Sequence, residues 1–315
     1  MTGFRGSKLS VIGAGSVGSS LAYAALIRGS ANEVALYDIA TEKVEAEVLD
    51  LAHGTQFTQS LITGGDDPAV LEGSDVVVIT AGAKQKPGQT RIELLGTNIR
   101  ILESLLPVVT ERAPDATIML VTNPVDVLTK VAVEITGLPP TRVFGSGTVL
   151  DTSRLRWLLG ERLGVSTSSV HAYIVGEHGD TEFPLWSSAT IGPVPLLEWE
   201  GGARVSAEEL DRIAVDVRDA AYRVIAGKGA TNYAIGLSAA RIAEAVLADE
   251  QVVLPVSTVL DGYRGISGVA LSVPCIVGAS GPRPVPNTPF SDEEGSKLDA
   301  SAEALQRALA DIGRG

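Results

Sequence analysis

The sequence predicts an α/β architecture, a doubly wound parallel sheet followed by an α+β domain, and three observations carry that expectation. Short apolar, β-branched runs alternate with longer amphipathic stretches. Glycine, aspartate, asparagine and proline punctuate those runs along the whole chain. A G-x-G-x-x-G spacing at Gly13, Gly15 and Gly18 falls where the first apolar run gives way to the first amphipathic stretch. With 315 residues, 45% of them hydrophobic, the chain can build one large or two moderate domains with substantial cores.

In chain order, "KLSVI" is the first strand, and the helix that follows the glycines ends near Gly29. Each glycine has its own task in such a turn. Gly13 permits the tight bend, Gly15 lets backbone approach a pyrophosphate, and Gly18 allows the helix to pack closely on the strand, with the anion at the helix N-terminus. The next strand, "EVALYD", ends on Asp38. That is about 20 residues past the glycines, where a carboxylate binds the ribose hydroxyls of NAD and repels the 2′-phosphate of NADP. Gly13, Gly15, Val17, Gly18 and Asp38 are therefore cofactor-binding candidates, with NAD as the cofactor. Further buried strands at 75–80 and 117–122, separated by helical stretches, extend the pattern into a Rossmann parallel sheet. The expected division is a dinucleotide domain over residues 1–145 and a second, catalytic domain over 146–315, with the helix at 231–249 packing back on the first.

Ligands of such folds bind beyond the carboxyl ends of the strands. There "TAGAKQKPGQTR" carries Gly82, Pro87 and Gly88 with no apolar period, and it reads as a loop that closes over ligand and ends at Arg91. In "TNPVD", Asn123 precedes Pro124, is biased away from helix, and leaves its amide free to face cofactor or substrate. The sequence leaves that X-Pro bond open as cis or trans.

"GSGTVLDTSRLRWLLGERLG" reads as a helix with Leu150, Leu155, Leu158, Leu159 and Leu163 on its apolar face and Gly164 closing it. Asp151 and Arg154, three apart, share one face, and Arg156 points to the other. Next comes "GEHGD". The chain has three histidines, His53, His171 and His178, and the last sits between two acids and two glycines. An imidazole, with a pKa of about 6.5, is the side chain best suited to move a proton near neutrality. Beyond it lie a long amphipathic helix in "AEELDRIAVDVRDAAYRVIAGKG", two strands around the D-G turn of "QVVLPVSTVLDGYRGISGVALSVPCIVG", and a last helix with Leu298, Ala302, Leu305 and Leu309 on one side.

Composition excludes several function classes. A net charge of −13 opposes nucleic-acid binding. No apolar run reaches membrane-spanning length, and the start lacks the apolar core of a signal peptide. Cys275, the single cysteine, reads as a core residue and excludes an internal disulfide, and one cysteine with scattered histidines offers no metal site. These features point to the cytoplasm. An anionic substrate would be drawn in by local arginines rather than by the overall field.

Together, the dinucleotide turn, the polar loop ending in Arg91, the D-x-x-R helix and "HAYIVGEHGDTEFPLW" resemble the lactate and malate dehydrogenase family, from Gly13 to the closing "KLDASAEALQRALADI". The resemblance implies that His178 exchanges a proton with the substrate oxygen while NADH delivers hydride, with Asp151 holding the other ring nitrogen. It implies that Arg154 grips the substrate carboxylate with its fork and that Arg91 stabilises charge on the carbonyl oxygen when the loop closes. Asn123 would bond near that oxygen, and Thr231 and Ile235 of "GATNYAIG" would line the substrate and nicotinamide walls.

Gln85 stands where the family's malate enzymes place an arginine, and a neutral amide leaves a second carboxylate unpaired, which favours pyruvate over oxaloacetate. Lys84 and Lys86 beside it keep the malate reading open. A non-catalytic NAD-binding protein remains the alternative of another class, but it has no use for Arg91, Asp151, Arg154 and His178 together. Arg156 and His171 match positions at which allosteric bacterial members bind fructose 1,6-bisphosphate across a subunit dyad, which implies a homotetramer responsive to that effector.

Overall fold

A computed structural model describes residues 6–83, 91–202 and 204–314, with the Arg91 side chain outside the description. The first half alternates strand and helix: β1 (Lys8–Ile12), α1 (Ser16–Arg28), β2 (Glu33–Tyr37), α2 (Thr41–His53), β3 (Leu61–Gly65), β4 (Val76–Ile79), α3 (Arg91–Arg112), β5 (Thr117–Leu120), α4 (Val125–Thr136) and β6 (Val143–Gly145). These strands pair in parallel in the order β3-β2-β1-β4-β5-β6. The inner strands β4 (VVVI) and β5 (TIML) are buried at every position because helices cover both faces of the sheet. The topology reverses beside β1, and the Gly13–Gly18 turn leaves β1 at that point.

The second half begins with α5 (Val149–Leu163) and continues through the two-residue strands β7 (Val170–His171), β8 (Ile174–Val175), β9 (Phe183–Pro184), β10 (Thr190–Ile191) and β11 (Val194–Pro195). It then runs through α6 (Ala207–Lys228), α7 (Tyr233–Leu247), β12 (Val252–Val259), β13 (Ala270–Gly278), β14 (Gly281–Pro284) and α8 (Asp292–Ala310). Leu155 and Leu159 of α5 pack on Val170, Ile174, Ile191 and Val217 in a core of their own. Leu298, Ala302, Leu305 and Leu309 form the buried stripe of α8, which starts in a capping box between Ser291 and Glu294.

The sheet crosses the 145/146 division. β12, β13 and β14 are antiparallel and join the edge of β6 through the pair Ser257↔Gly145, giving a nine-stranded sheet. Their pairing covers what would otherwise be an open edge at β6. α7 also returns to the first half and crosses α1 so closely that a Cβ on Gly236 would lie 2.8 Å from the Ser20 carbonyl carbon. Beside that crossing Asn232 donates to Ser20 Oγ at 2.9 Å, and the Arg28 fork bonds Glu244 through two contacts of 2.6 Å.

Candidate active site

The cofactor turn is made from backbone. Gly13 has φ +106°, a conformation L side chains rarely adopt, and its N–H donates to the Tyr37 carbonyl at 2.8 Å. A Cβ on Gly18 would lie 1.8 Å from the Gly13 carbonyl oxygen, so only glycine lets α1 start this close to β1. A Cβ on Gly15 would meet nothing within 4 Å, and no side chain caps the N-terminus of α1. Open space in front of uncapped helix N–H groups suits a pyrophosphate. Asp38, at the end of β2, accepts the Ala14 N–H at 2.6 Å and the Ala40 N–H at 3.0 Å, so its carboxylate is aimed beside that space. These residues fit a dinucleotide with free ribose hydroxyls. Val17 packs from the first turn of α1 against the main core.

The candidate catalytic groups converge from one helix and one loop. His178 lies in the loop between β8 and β9. Its Nδ1 is 2.6 Å from Asp151 Oδ2, and Arg154 Nη1 donates to the other oxygen of the same carboxylate. Asp151 is 1% exposed, and its position on α5 lets one carboxylate hold both an imidazole and a guanidinium. The loop itself is pinned from outside its own segment. Gly176 pairs with Ser272 of β13, the Glu177 N–H reaches Ser301 Oγ of α8 at 3.3 Å, and the His178 N–H donates to Asp126 Oδ2 of α4 at 2.7 Å. Ser257 of β12 donates to the second oxygen of Asp126 at 2.5 Å.

The charges follow from this packing. Burial acts to lower the proton affinity of His178, but the charge and hydrogen bond of Asp151, with Glu182 and Asp126 behind, outweigh it and raise the pKa to about 9. For Asp151 burial acts upward, yet His178 and Arg154 hold its carboxylate below the usual range. Burial pushes Asp126 up to about 6 against the Ser257 hydrogen bond and the nearby imidazole. At neutral pH the centre therefore presents a protonated imidazole over an ionised Asp151.

Other residues named from the sequence take the following places. Asn123 follows β5, its bond to Pro124 is cis, its side-chain oxygen accepts the Val125 N–H at 3.3 Å, and its carbonyl accepts from Asn98 at 3.0 Å. Thr231 is partly buried in the connection between α6 and α7, and Ile235, in the first turn of α7, packs against the main core. Arg156 sits apart from Asp151: its Nε donates to the Ala172 carbonyl at 3.0 Å and its guanidinium lies 5.1 Å from the Tyr173 ring centroid. It lines a surface cleft of about 690 Å³ with Trp157 and Arg241. His171 is exposed on β7. Gln85 and the side chain of Arg91 lie outside the described residues.

The sequence reading missed four residues that build this site. Asp126 in "TNPVD" has the look of an ordinary acid at a helix start, where the dipole favours it. Asn98, 2% exposed inside α3, accepts the Ala83 N–H at 2.8 Å and donates to the Asn123 carbonyl, tying the segment after β4 to the segment after β5. Ser257 carries no local signal. Glu182 has one, its i+4 spacing from His178, and the structure brings its carboxyl to 3.9 Å from Nδ1.

Comparison with known proteins gives one answer along the whole chain. Residues 7–145 match the lactate/malate dehydrogenase NAD binding domain, and residues 148–313 match the lactate/malate dehydrogenase alpha/beta C-terminal domain. An L-lactate dehydrogenase of Bifidobacterium animalis subsp. lactis is 52% identical over 311 residues, covering 98% of this chain and 97% of that protein. L-lactate dehydrogenase 1 of Clostridium acetobutylicum is 43% identical over 313 residues, covering 98% and 99%. Among solved structures, a lactate dehydrogenase from a Medee basin deep-sea metagenome library superposes with a TM-score of 0.94 at 38% identity, covering 98% of this chain and all of that one. The minor L-lactate dehydrogenase of Enterococcus mundtii, in a ligands-bound form, gives 0.93 at 38% identity over 97% and 98% of the two chains.

Proposed function

The chain belongs to the lactate/malate dehydrogenase family, and from that premise we propose that His178, Asp151 and Arg154 carry out the reversible reduction of pyruvate to L-lactate. The activity is that of an L-lactate dehydrogenase, and the cofactor is NAD. The observation that carries the residue assignment is the shared carboxylate: Asp151 holds the His178 ring by Nδ1 and the Arg154 guanidinium by Nη1.

With Nδ1 engaged, Nε2 is the ring nitrogen left to face substrate. NADH, when bound, supplies the hydride. His178 gives its Nε2 proton to the ketone oxygen as the carbon is reduced, and takes it back in the oxidation of lactate. Asp151 stabilises the imidazolium and fixes the ring. The guanidinium N–H groups of Arg154 not used by Asp151 bind the substrate carboxylate in the bidentate geometry that lysine lacks. Arg91 supplies a cation to the carbonyl oxygen from the start of α3, Asn123 donates near that oxygen, and Thr231 and Ile235 form the neighbouring walls. A neutral Gln85 suits the methyl end of pyruvate and offers no partner to a second carboxylate. Following NADH absorbance with pyruvate, with oxaloacetate and with neither tests the reading. Pyruvate should be consumed far faster, and faster turnover of oxaloacetate would overturn the role of Gln85.

Two finer readings belong with this one. Arg156 and His171 bind fructose 1,6-bisphosphate in a homotetramer; in support, Arg156 reaches the strand segment that carries His171, away from Asp151. If millimolar effector alters neither the pyruvate response nor the sedimentation of the protein, this reading fails. The protein acts in the cytoplasm; in support, no described helix is long and apolar enough to cross a membrane. Fractionation of cells making the protein checks the location.

A further inference from the structure

The reaction just described leaves one buried carboxyl without a task. The Glu182 side chain is 5% exposed, and its Oε2 lies 3.9 Å from His178 Nδ1, the nitrogen that bonds Asp151. A carboxylate oxygen of Asp151, a ring nitrogen of His178 and a carboxylate oxygen of Glu182 all lie within 4.8 Å of one another. Two carboxylates this close to one imidazole resist being ionised together. Asp151 has the stronger claim to the charge, since it takes both the Nδ1 hydrogen bond and the contact from Arg154.

Glu182 also has a second side. It lines a surface cleft of about 290 Å³ between α6 and α8, whose walls include neither His178, Asp151 nor Arg154. The charged groups around it are Asp151 and Arg154 from α5, Arg218 and Asp211 from α6, Lys297 from α8, and His178 and Asp180 from its own segment. Glu182 thus touches the catalytic pair on one side and a solvent-facing cleft on the other.

We propose that Glu182 is a positioning residue for the proton transfer: it stands as a neutral acid beside the His178–Asp151 pair at neutral pH, releases its proton to water through the α6–α8 cleft in alkaline solution, and so prolongs the protonated state of His178. The proposal rests on His178 being the proton donor. Burial, followed by the charge of Asp151, raises the proton affinity of Glu182, which agrees with the neutral form. Once ionised, Glu182 places a second negative charge near Nδ1, so His178 yields its proton only at higher pH. The alkaline limb of pyruvate reduction is then spread over more than a single-proton width.

The test is the pH profile of kcat/KM for pyruvate at saturating NADH. The parent should show the broad limb, and Glu182→Gln a single-proton limb with its midpoint about one unit lower. Glu182→Asp should keep the broad shape. A Glu182→Gln profile that superimposes on the parent after uniform scaling would overturn the proposal and leave Glu182 a packing residue. Infrared spectroscopy of the unmodified holoenzyme gives a second measurement that needs no variant. A protonated-carboxyl carbonyl band should be present at neutral pH and disappear in alkaline solution, and its absence at neutral pH would equally overturn the assignment. A parent that fails to turn over pyruvate would remove the reading of His178, whereas the infrared result would still decide the state of Glu182.

Discussion

The cofactor turn and the His178 loop are both short and glycine-bounded, yet they hold their functional groups by opposite means. Between β1 and α1 the work is done by what residues lack: no Cβ at Gly13, Gly15 and Gly18, and no side-chain cap on the helix. Around His178 it is done by what distant residues carry. The ring and backbone of one histidine are gripped by Asp151 and Asp126, 27 and 52 residues away, and Asp126 is held in turn by Ser257, 131 residues from it. A site built from backbone is specified within a few residues, while a site built from buried charges is specified only by the finished fold.

Substitutions break that contrast in order of expected size. His178→Asn should reduce kcat/KM for pyruvate by about 10³-fold or more, while NADH binding, followed by fluorescence, stays near that of the parent. Comparable turnover would end the assignment of His178. Gly18→Ala brings a methyl group into the Gly13 carbonyl and should do the reverse, weakening NADH binding by about 100-fold. A variant that binds NADH normally would show that the turn is not fixed by close approach.

Asp126→Asn separates positioning from chemistry. It leaves the His178–Asp151 pair in place but removes a charged acceptor from the His178 N–H, and should lower kcat by roughly 10- to 100-fold with NADH affinity unchanged. Asp38→Ser should raise the KM for NADH by about 10-fold and narrow the discrimination against NADPH, leaving the pyruvate pH profile where it was. The smallest expected effect is the pH profile of the parent itself. Pyruvate reduction needs protonated His178, so its kcat/KM should hold through neutrality and fall as pH rises through about 9. Lactate oxidation needs the neutral ring and should rise over the same interval, and a reduction limb centred near neutrality would mean that Asp151 does not hold the imidazolium as the geometry implies.

The same contrast governs how much was legible in the sequence. The parallel sheet, the glycine turn and Asp38 follow from spacings inside about 30 residues, and each falls where the sequence places it. The helix α5 and the buried stripe of α8 were equally readable, because a 3.6-residue period is local. The attachment of β12, β13 and β14 to β6 was not, since an apolar strand does not state which edge it covers. β3 was also silent: its "LITGG" is partly exposed and lacks alternation. Asp126, Asn98 and Ser257 look like an ordinary helix-start acid, a helix amide and a strand serine until their partners arrive from other elements.

The joining of β12 and β13 to the cofactor sheet has a mechanical consequence. Through Gly176 on Ser272, and through Asp126 and its clasp on Ser257, the His178 loop is bolted to the same slab that carries the Gly13–Gly18 turn. The aim of the imidazole relative to that turn is then set by one continuous sheet rather than by two bodies that meet at a surface. Alignment is thereby carried by backbone pairing, and a change that opens the clasp at Ser257 should misdirect the ring without altering either Asp151 or the glycine turn.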